Sequence, residues 1–233
     1  MTAAYAAFPE SEHRARLAEA RRILARAGIG ACVSVAPEHL YYFAGYDSWV
    51  SANSPQALIF ATDGGEPTLV VRDVDLALPR ETSWVADIRT YHLFQDDVPA
   101  LIASVLREKG VGSDRVAVET QTYALPYALG QALARALAPA AIVDATDMLG
   151  ALRLVKSPRE LDYMRAAAGY ARAGLDAAHP PALPRVPWRT QTRSPPRSPL
   201  RPVRQPRRNP QPPRLSRRSQ RNRLRLQQLS RRR

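Results

Sequence analysis

Leu17, Ala20, Leu24 and Ala27 recur at helical spacing behind Phe8 and Pro9, so the chain opens on an amphipathic helix. Ser11 is placed to cap that helix and Gly28 to end it. Ala31 to Val35 then forms a short apolar run suited to a strand. Pro37 begins a further helical turn that directs Leu40, Tyr41 and Phe43 inward. Two more strands, Ala57 to Ala61 and Pro67 to Val71, flank Asp63-Gly64-Gly65-Glu66, a hairpin signature. Beyond them the pattern alternates. Trp84 to Tyr91 predicts a strand and Val98 to Lys109 a helix closed by Gly110. Arg115 to Glu119 predicts a strand, Leu125 to Leu137 a helix, and Ala141 to Asp144 a strand. Helices separating short strands predict an α/β fold, and the hairpin makes its sheet mixed, flanked by helices.

The sharpest local signal lies at Ser157-Pro158-Arg159-Glu160. Ser157 caps, Pro158 suits the first helical position, and Glu160 completes a capping box. Leu161, Met164, Ala168, Ala171 and Leu175 follow at steps of three and four, so one face of this helix is apolar and needs a packing partner. Composition changes before such a partner arrives. Residues 1–179 contain all 21 acidic side chains and carry a net charge of −4. Residues 180–233 contain 17 Arg and 12 Pro, no Lys, Gly, Asp or Glu, and carry +17. The front is long enough for one domain with a real core; the back cannot build one and is expected to be disordered.

Candidate chemistry in the front part is sparse. Cys32 is the only cysteine, which excludes an intrachain disulfide, suits a reducing compartment, and within Ile29-Gly30-Ala31-Cys32-Val33 reads as a buried structural thiol. His13, His39, His92 and His179 form no pair at helical ligand spacing. Asp96-Asp97 read as acids serving the start of the helix near Val98, and Asp73 and Asp75, in a segment expected to open a short helix, as a solvated face. No glycine-rich phosphate loop, nucleophile elbow or CxxC pair occurs. The start, Met1 to Pro9, lacks signal-peptide features, and no apolar run approaches the roughly 18 residues of a membrane-spanning helix. The expected location is cytoplasmic, with no membrane partner.

Two segments resemble the N-terminal half of the creatinase/prolidase family, the Xaa-Pro peptidases and their amidinohydrolase relatives. One is Glu38-His39-Leu40-Tyr41-Tyr42-Phe43-Ala44-Gly45-Tyr46-Asp47-Ser48-Trp49, followed by Pro55-Gln56-Ala57-Leu58. The other is Leu152-Arg153-Leu154-Val155-Lys156-Ser157-Pro158-Arg159-Glu160, which is similar to the entry into the family's catalytic domain, with Ala166-Ala167-Ala168-Gly169 fitting its first helix. The resemblance covers roughly residues 10–178. It implies an α/β domain over residues 1–152, a linker and first catalytic-domain helix over 153–179, and the Arg/Pro-rich tail over 180–233. In intact peptidase relatives it implies a dinuclear divalent metal site, with ions about 3.5–4 Å apart, in a second domain. None of those ligands is assignable here, so no catalytic residue, metal ligand or cofactor is expected in this chain.

The resemblance further implies a homodimer through the N-terminal domain, with the loop after Gly45 reaching the partner's substrate. Trp49, Asn53 and Gln56 are the candidate access residues, although packing of Trp49 and a turn at Asn53-Ser54-Pro55 are the readier explanation of them. Ser51, Asn53 and Ser54 stand where creatine-hydrolysing members place an aromatic and an arginine, which favours a peptidase-like ancestor. The tail itself has two readings. One is GC-rich coding DNA translated out of register, since Arg, Pro, Ser, Leu and Gln dominate and the change falls inside a family helix. The other is a polycation that binds nucleic acid non-specifically through phosphates. The resulting expectation is a truncated homologue without hydrolase activity; a nucleic-acid-binding protein and a non-catalytic partner of an intact paralogue are the alternatives.

Overall fold

A computed structural model describes residues 6–48, 54–111 and 115–178. The chain divides into two units, Met1–Ala173 and Gly174–Arg233, and the fold below belongs to the first. The tail, with its expected disorder, lies outside the described residues.

A six-stranded mixed sheet forms the centre. Its strands are β1 (Ala31–Ser34), β2 (Ala57–Ala61), β3 (Thr68–Arg72), β4 (Asp87–Tyr91), β5 (Val116–Val118) and β6 (Ile142–Asp144), in the order β4-β3-β2-β1-β5-β6. The β1–β2 and β2–β3 pairs are antiparallel, while β3–β4, β1–β5 and β5–β6 are parallel. The hairpin around Gly64 and Gly65 supplies the antiparallel part, with both glycines at positive φ. Because side chains alternate along a strand, the sheet feeds two cores. Val33, Ile59, Val70 and Val118 face one side, with Ile102 and Leu106 of α4 (Val98–Glu108) and Leu133 of α5 (Tyr127–Leu137). Cys32, Leu58, Phe60 and Leu69 face the other, with Leu17 and Leu24 of α1 (Glu10–Arg26), Phe43 of α2 (Pro37–Ala44) and Leu149 of α6 (Thr146–Ala151). Both faces are covered, which explains why the central strands are apolar at nearly every position.

Several boundaries differ from the sequence expectation for physical reasons. Helix α1 begins at Glu10, with Pro9 in extended conformation before it and no side-chain cap; Ser11 therefore lies inside the helix. The end of α1 is as expected. Gly28 N–H reaches Ala25 O at 3.0 Å and Ile29 N–H reaches Leu24 O at 3.1 Å, the paired bonds of a Schellman motif. Ala27, at the cap, is exposed rather than packed. The short helix expected to open near Asp73 and Asp75 is present, as a 3-10 turn at Asp73–Asp75 followed by α3 (Ala77–Thr82), whereas α6 fills what the pattern left as a connection.

The capping box of α7 (Pro158–Ala178) is present. Ser157 N–H donates to Glu160 Oε2 at 2.7 Å, and Glu160 N–H donates to Ser157 Oγ at 3.2 Å. From Leu161 to Ala177 the helix is exposed on every side, Leu161, Met164 and Leu175 included. Among the described residues nothing covers its apolar face.

Candidate functional site

The two sequence segments that carried the family resemblance meet in space. Tyr42 Oη donates to Leu152 O at 3.0 Å, joining the middle of α2 to the start of the linker before α7. Gly45 ends α2 at φ 73°, and a Cβ there would lie 3.0 Å from Thr82 O and 3.2 Å from His13 Nε2. Only glycine fits both the turn and that approach. Tyr46, directly after this turn, is fully buried in the same core as Phe43 and Leu58.

Around it lies a polar cluster in otherwise apolar surroundings. Gln56 is buried, and its Nε2 donates to Tyr46 Oη at 3.1 Å. Tyr91 Oη donates to Pro55 O at 2.7 Å. Burial pushes the hydroxyl pKa of both Tyr46 and Tyr91 upward, so each hydroxyl stays protonated. Arg72 Nη2 donates to Asp75 Oδ1 at 3.2 Å, while Arg72 Nε and Asp75 Oδ2, equally close, lack hydrogen-bond alignment. Ser54 Oγ and Gln56 Oε1 are also buried without partners. Such groups are satisfied in most proteins, and their concentration here marks the strongest polar feature of the domain.

Of the three access-loop positions read from the sequence, Gln56 belongs to this cluster, whereas Trp49 and Asn53 lie outside the described residues. Asp75 was read as solvated; the structure pairs it with Arg72 at 15% side-chain exposure. Asp97 does serve the start of α4, accepting Ala100 N–H at 3.0 Å. Asp96 turns back instead to accept His92 N–H at 2.6 Å. Cys32 is fully buried, and burial, with Glu119 adding to it, holds its thiol well above the usual range. It is a structural thiol, since reactivity needs the thiolate.

A second buried polar group escaped the sequence reading. Glu119, at the end of β5, is fully buried and accepts Val35 N–H at 2.6 Å, Ala36 N–H at 2.8 Å and Ser34 Oγ–H at 3.1 Å. His39 Nδ1 completes the set, leaving His39 Nε2 buried and unpartnered. A carboxylate supplied by β5 thus receives the free N–H groups at the start of α2, which itself has no local side-chain cap. Both side chains are almost fully buried, His39 at 4% and Glu119 at 1% exposure, which suits a structural role for the pair.

A cleft of about 550 Å³ does open between α2 and α7, lined by Phe8, Tyr41, Tyr42, Arg153, Tyr163 and Met164 among others. Its walls are part aromatic and part charged, with Arg16, Glu38, Lys156 and Glu160 beside the rings. Among the described residues, no three His, Cys, Asp or Glu side chains gather in a way that could hold a metal ion. The residues present therefore do not fit the dinuclear centre of the peptidases. No helix among them is long and apolar enough to cross a membrane.

Residues 16–155 match the family model for the creatinase/prolidase N-terminal domain. The chain belongs to that family. Ectoine hydrolase of Halomonas elongata is 30% identical over 168 residues, which are 69% of this chain and 42% of that protein. Dipeptidase PepE from Mycobacterium ulcerans shares 29% identity with a TM-score of 0.55, over 66% of this chain and 40% of that one. The N-terminal domain of an Xaa-Pro dipeptidase from Lactobacillus brevis superposes at TM-score 0.52 and 20% identity, over 58% of this chain and 98% of that domain. This chain spans about two-fifths of the length of the curated relatives it matches.

Proposed function

We propose that residues 1–152 are the non-catalytic front domain of an Xaa-Pro-peptidase-type hydrolase, and that the 233-residue chain has no hydrolase activity of its own. The observation that carries this reading is where the likeness falls. It covers a domain that in a solved relative is matched almost end to end, and the sequence after α7 changes to an acid-free Arg/Pro composition. The domain's contribution is to position and to shape access. The Tyr46–Gln56–Tyr91 cluster anchors the loop that begins after Gly45, and that loop, including Trp49 and Asn53, reaches the substrate of a dimer partner. The ancestral chemistry was hydrolysis of an Xaa-Pro peptide or a related small amide, and the names of the dipeptidase and ectoine hydrolase relatives support the hydrolysis. Residues 153–179 are then the linker and first helix of the catalytic domain, and 180–233 an out-of-register translation.

Purified chain, free of host peptidases, is expected to leave an Xaa-Pro dipeptide intact with or without manganese or cobalt. Metal-dependent cleavage overturns the proposal. The encoding DNA around codons 170–185 tests the frameshift directly, since another frame is expected to supply Asp, His and Glu at ligand positions. The 17 arginines favour a second reading, nucleic-acid binding through the tail. A salt titration of DNA binding separates the two. Steep, sequence-blind loss with salt is what any polycation gives, and tail-dependent sequence preference supports the second reading.

A further inference from the structure

We infer that Arg16 is a latch that fixes the direction in which the chain leaves the N-terminal domain through α7. Its side chain is only 6% exposed, and its guanidinium lies 4.3 Å from the ring centres of both Phe8 and Tyr42. From between those rings it contacts three elements. Arg16 Nη2 lies 2.8 Å from Glu12 Oε1 on α1 and 3.2 Å from Glu160 Oε1 on α7, and Nη1 donates to Tyr42 O on α2 at 3.3 Å. The planar guanidinium suits this geometry, stacking by its faces while its edge serves separate acceptors.

The same residues close a ring around the α7 entrance. Ser157 Oγ donates to Glu12 Oε1 at 2.8 Å, so the helix cap and the Arg16 partner are one network. Tyr163 Oη donates to Ala7 O at 2.8 Å, and its ring meets Phe8 edge-on at 5.4 Å. Glu160 consequently has two duties: one carboxylate oxygen completes the capping box and the other faces Arg16. Because Leu161 to Ala177 is exposed throughout, these contacts in the first two turns hold α7 to the domain. A local start signal is thereby converted into a tertiary one. The latch concerns this chain's own helix, and its consequence for placing a downstream domain in intact relatives rests on the proposal above.

The test uses the full chain with spin labels at R107C and A168C, both exposed, since the native Cys32 is fully buried. The parent is expected to give one narrow distance distribution. R16M keeps the apolar contact with the rings but removes the charge. It is expected to broaden that distribution and to raise hydrogen exchange over residues 158–173 about tenfold or more, leaving β1 and β5 protected. R16K, lacking the fork, is expected not to restore the narrow distribution. Should R16M fail to fold, E160Q gives the same readout with Arg16 still seated. A broad distribution in the parent overturns the inference. So does an unchanged distribution in R16M or E160Q, or exchange that rises equally across the sheet. Peptidase assays bear on the proposed function alone, so the two ideas fail separately.

Discussion

Strand β1 and helix α7 both carry apolar residues, yet the first is buried at all four positions and the second is exposed from Leu161 to Ala177. The difference is one of neighbours. Strand β1 receives β2 on one edge, β5 on the other and helices on both faces, all within the described residues. Among the described residues, helix α7 receives at its base the Arg16 network and the contacts of Tyr163 with Ala7 and Phe8. Apolar pattern states what a segment needs; the rest of the chain decides whether the need is met. Substitutions should therefore be costly near β1 and cheap along α7, and the following experiments can break that contrast.

The largest effect is expected from Glu119→Ala. It removes one acceptor from Val35 N–H, Ala36 N–H, Ser34 Oγ–H and His39 together, all in a fully buried place. Stranding these donors should cost about 3–5 kcal/mol, read as a lowered urea midpoint with unchanged slope. A loss below about 1 kcal/mol would mean that water enters the site and the pair is not structural.

Tyr91→Phe should cost less, about 1–2 kcal/mol, because it leaves Pro55 O without its donor inside the polar cluster. If Gln56 anchors the loop as proposed, hydrogen exchange should rise around Pro55 and Gln56 but not in β5. An equal rise in both would make the cluster part of the general core.

Asp144 should give a smaller, pH-dependent effect. Burial raises its pKa, but hydrogen bonds from Thr146, Gln121 and the backbone N–H groups of Thr146 and Thr120 outweigh this and hold it well below the usual carboxylate range. A depressed folded pKa stabilises above the unfolded value of about 3.9 and loses that stabilisation as pH falls through the folded one. Asp144→Asn should therefore lose under about 1 kcal/mol at neutral pH, given its exposure. The difference from the parent should shrink as pH drops below about 4. A constant difference from pH 7 to pH 2 would remove the charge from the explanation.

The legible parts of this molecule were those whose partners lie close in sequence. The Ser157–Glu160 box and the Gly28 stop are bonds across three to five residues, so the pattern carries them. Glu119 was not legible because its partners lie 80 or more positions away. The Arg72–Asp75 pair, though local, gave no signal that it would be buried. Helix α6 was missed because six residues with Gly150 among them hold too little periodicity. In the candidate site, Gln56 could be singled out only through the family resemblance. Its contact with Tyr46 depends on the turn that Gly45 permits, which composition does not announce.

The smallest effect is expected on α7. Met164 is 54% exposed on the cleft beside α2, and Met164→Glu adds a charge to a surface already in water. Folding stability should change by no more than about 0.5 kcal/mol, as for surface substitutions in general. Self-association should fall, because the change interrupts the exposed stripe of Leu161, Met164 and Leu175. Sedimentation velocity over a range of concentrations reads the second effect and urea denaturation the first. If Met164→Glu instead lowers stability by more than about 1 kcal/mol at high protein concentration and not at low, a second copy covers the stripe. The contrast between β1 and α7 would then belong to the monomer alone, with assembly supplying the neighbour that the described residues do not.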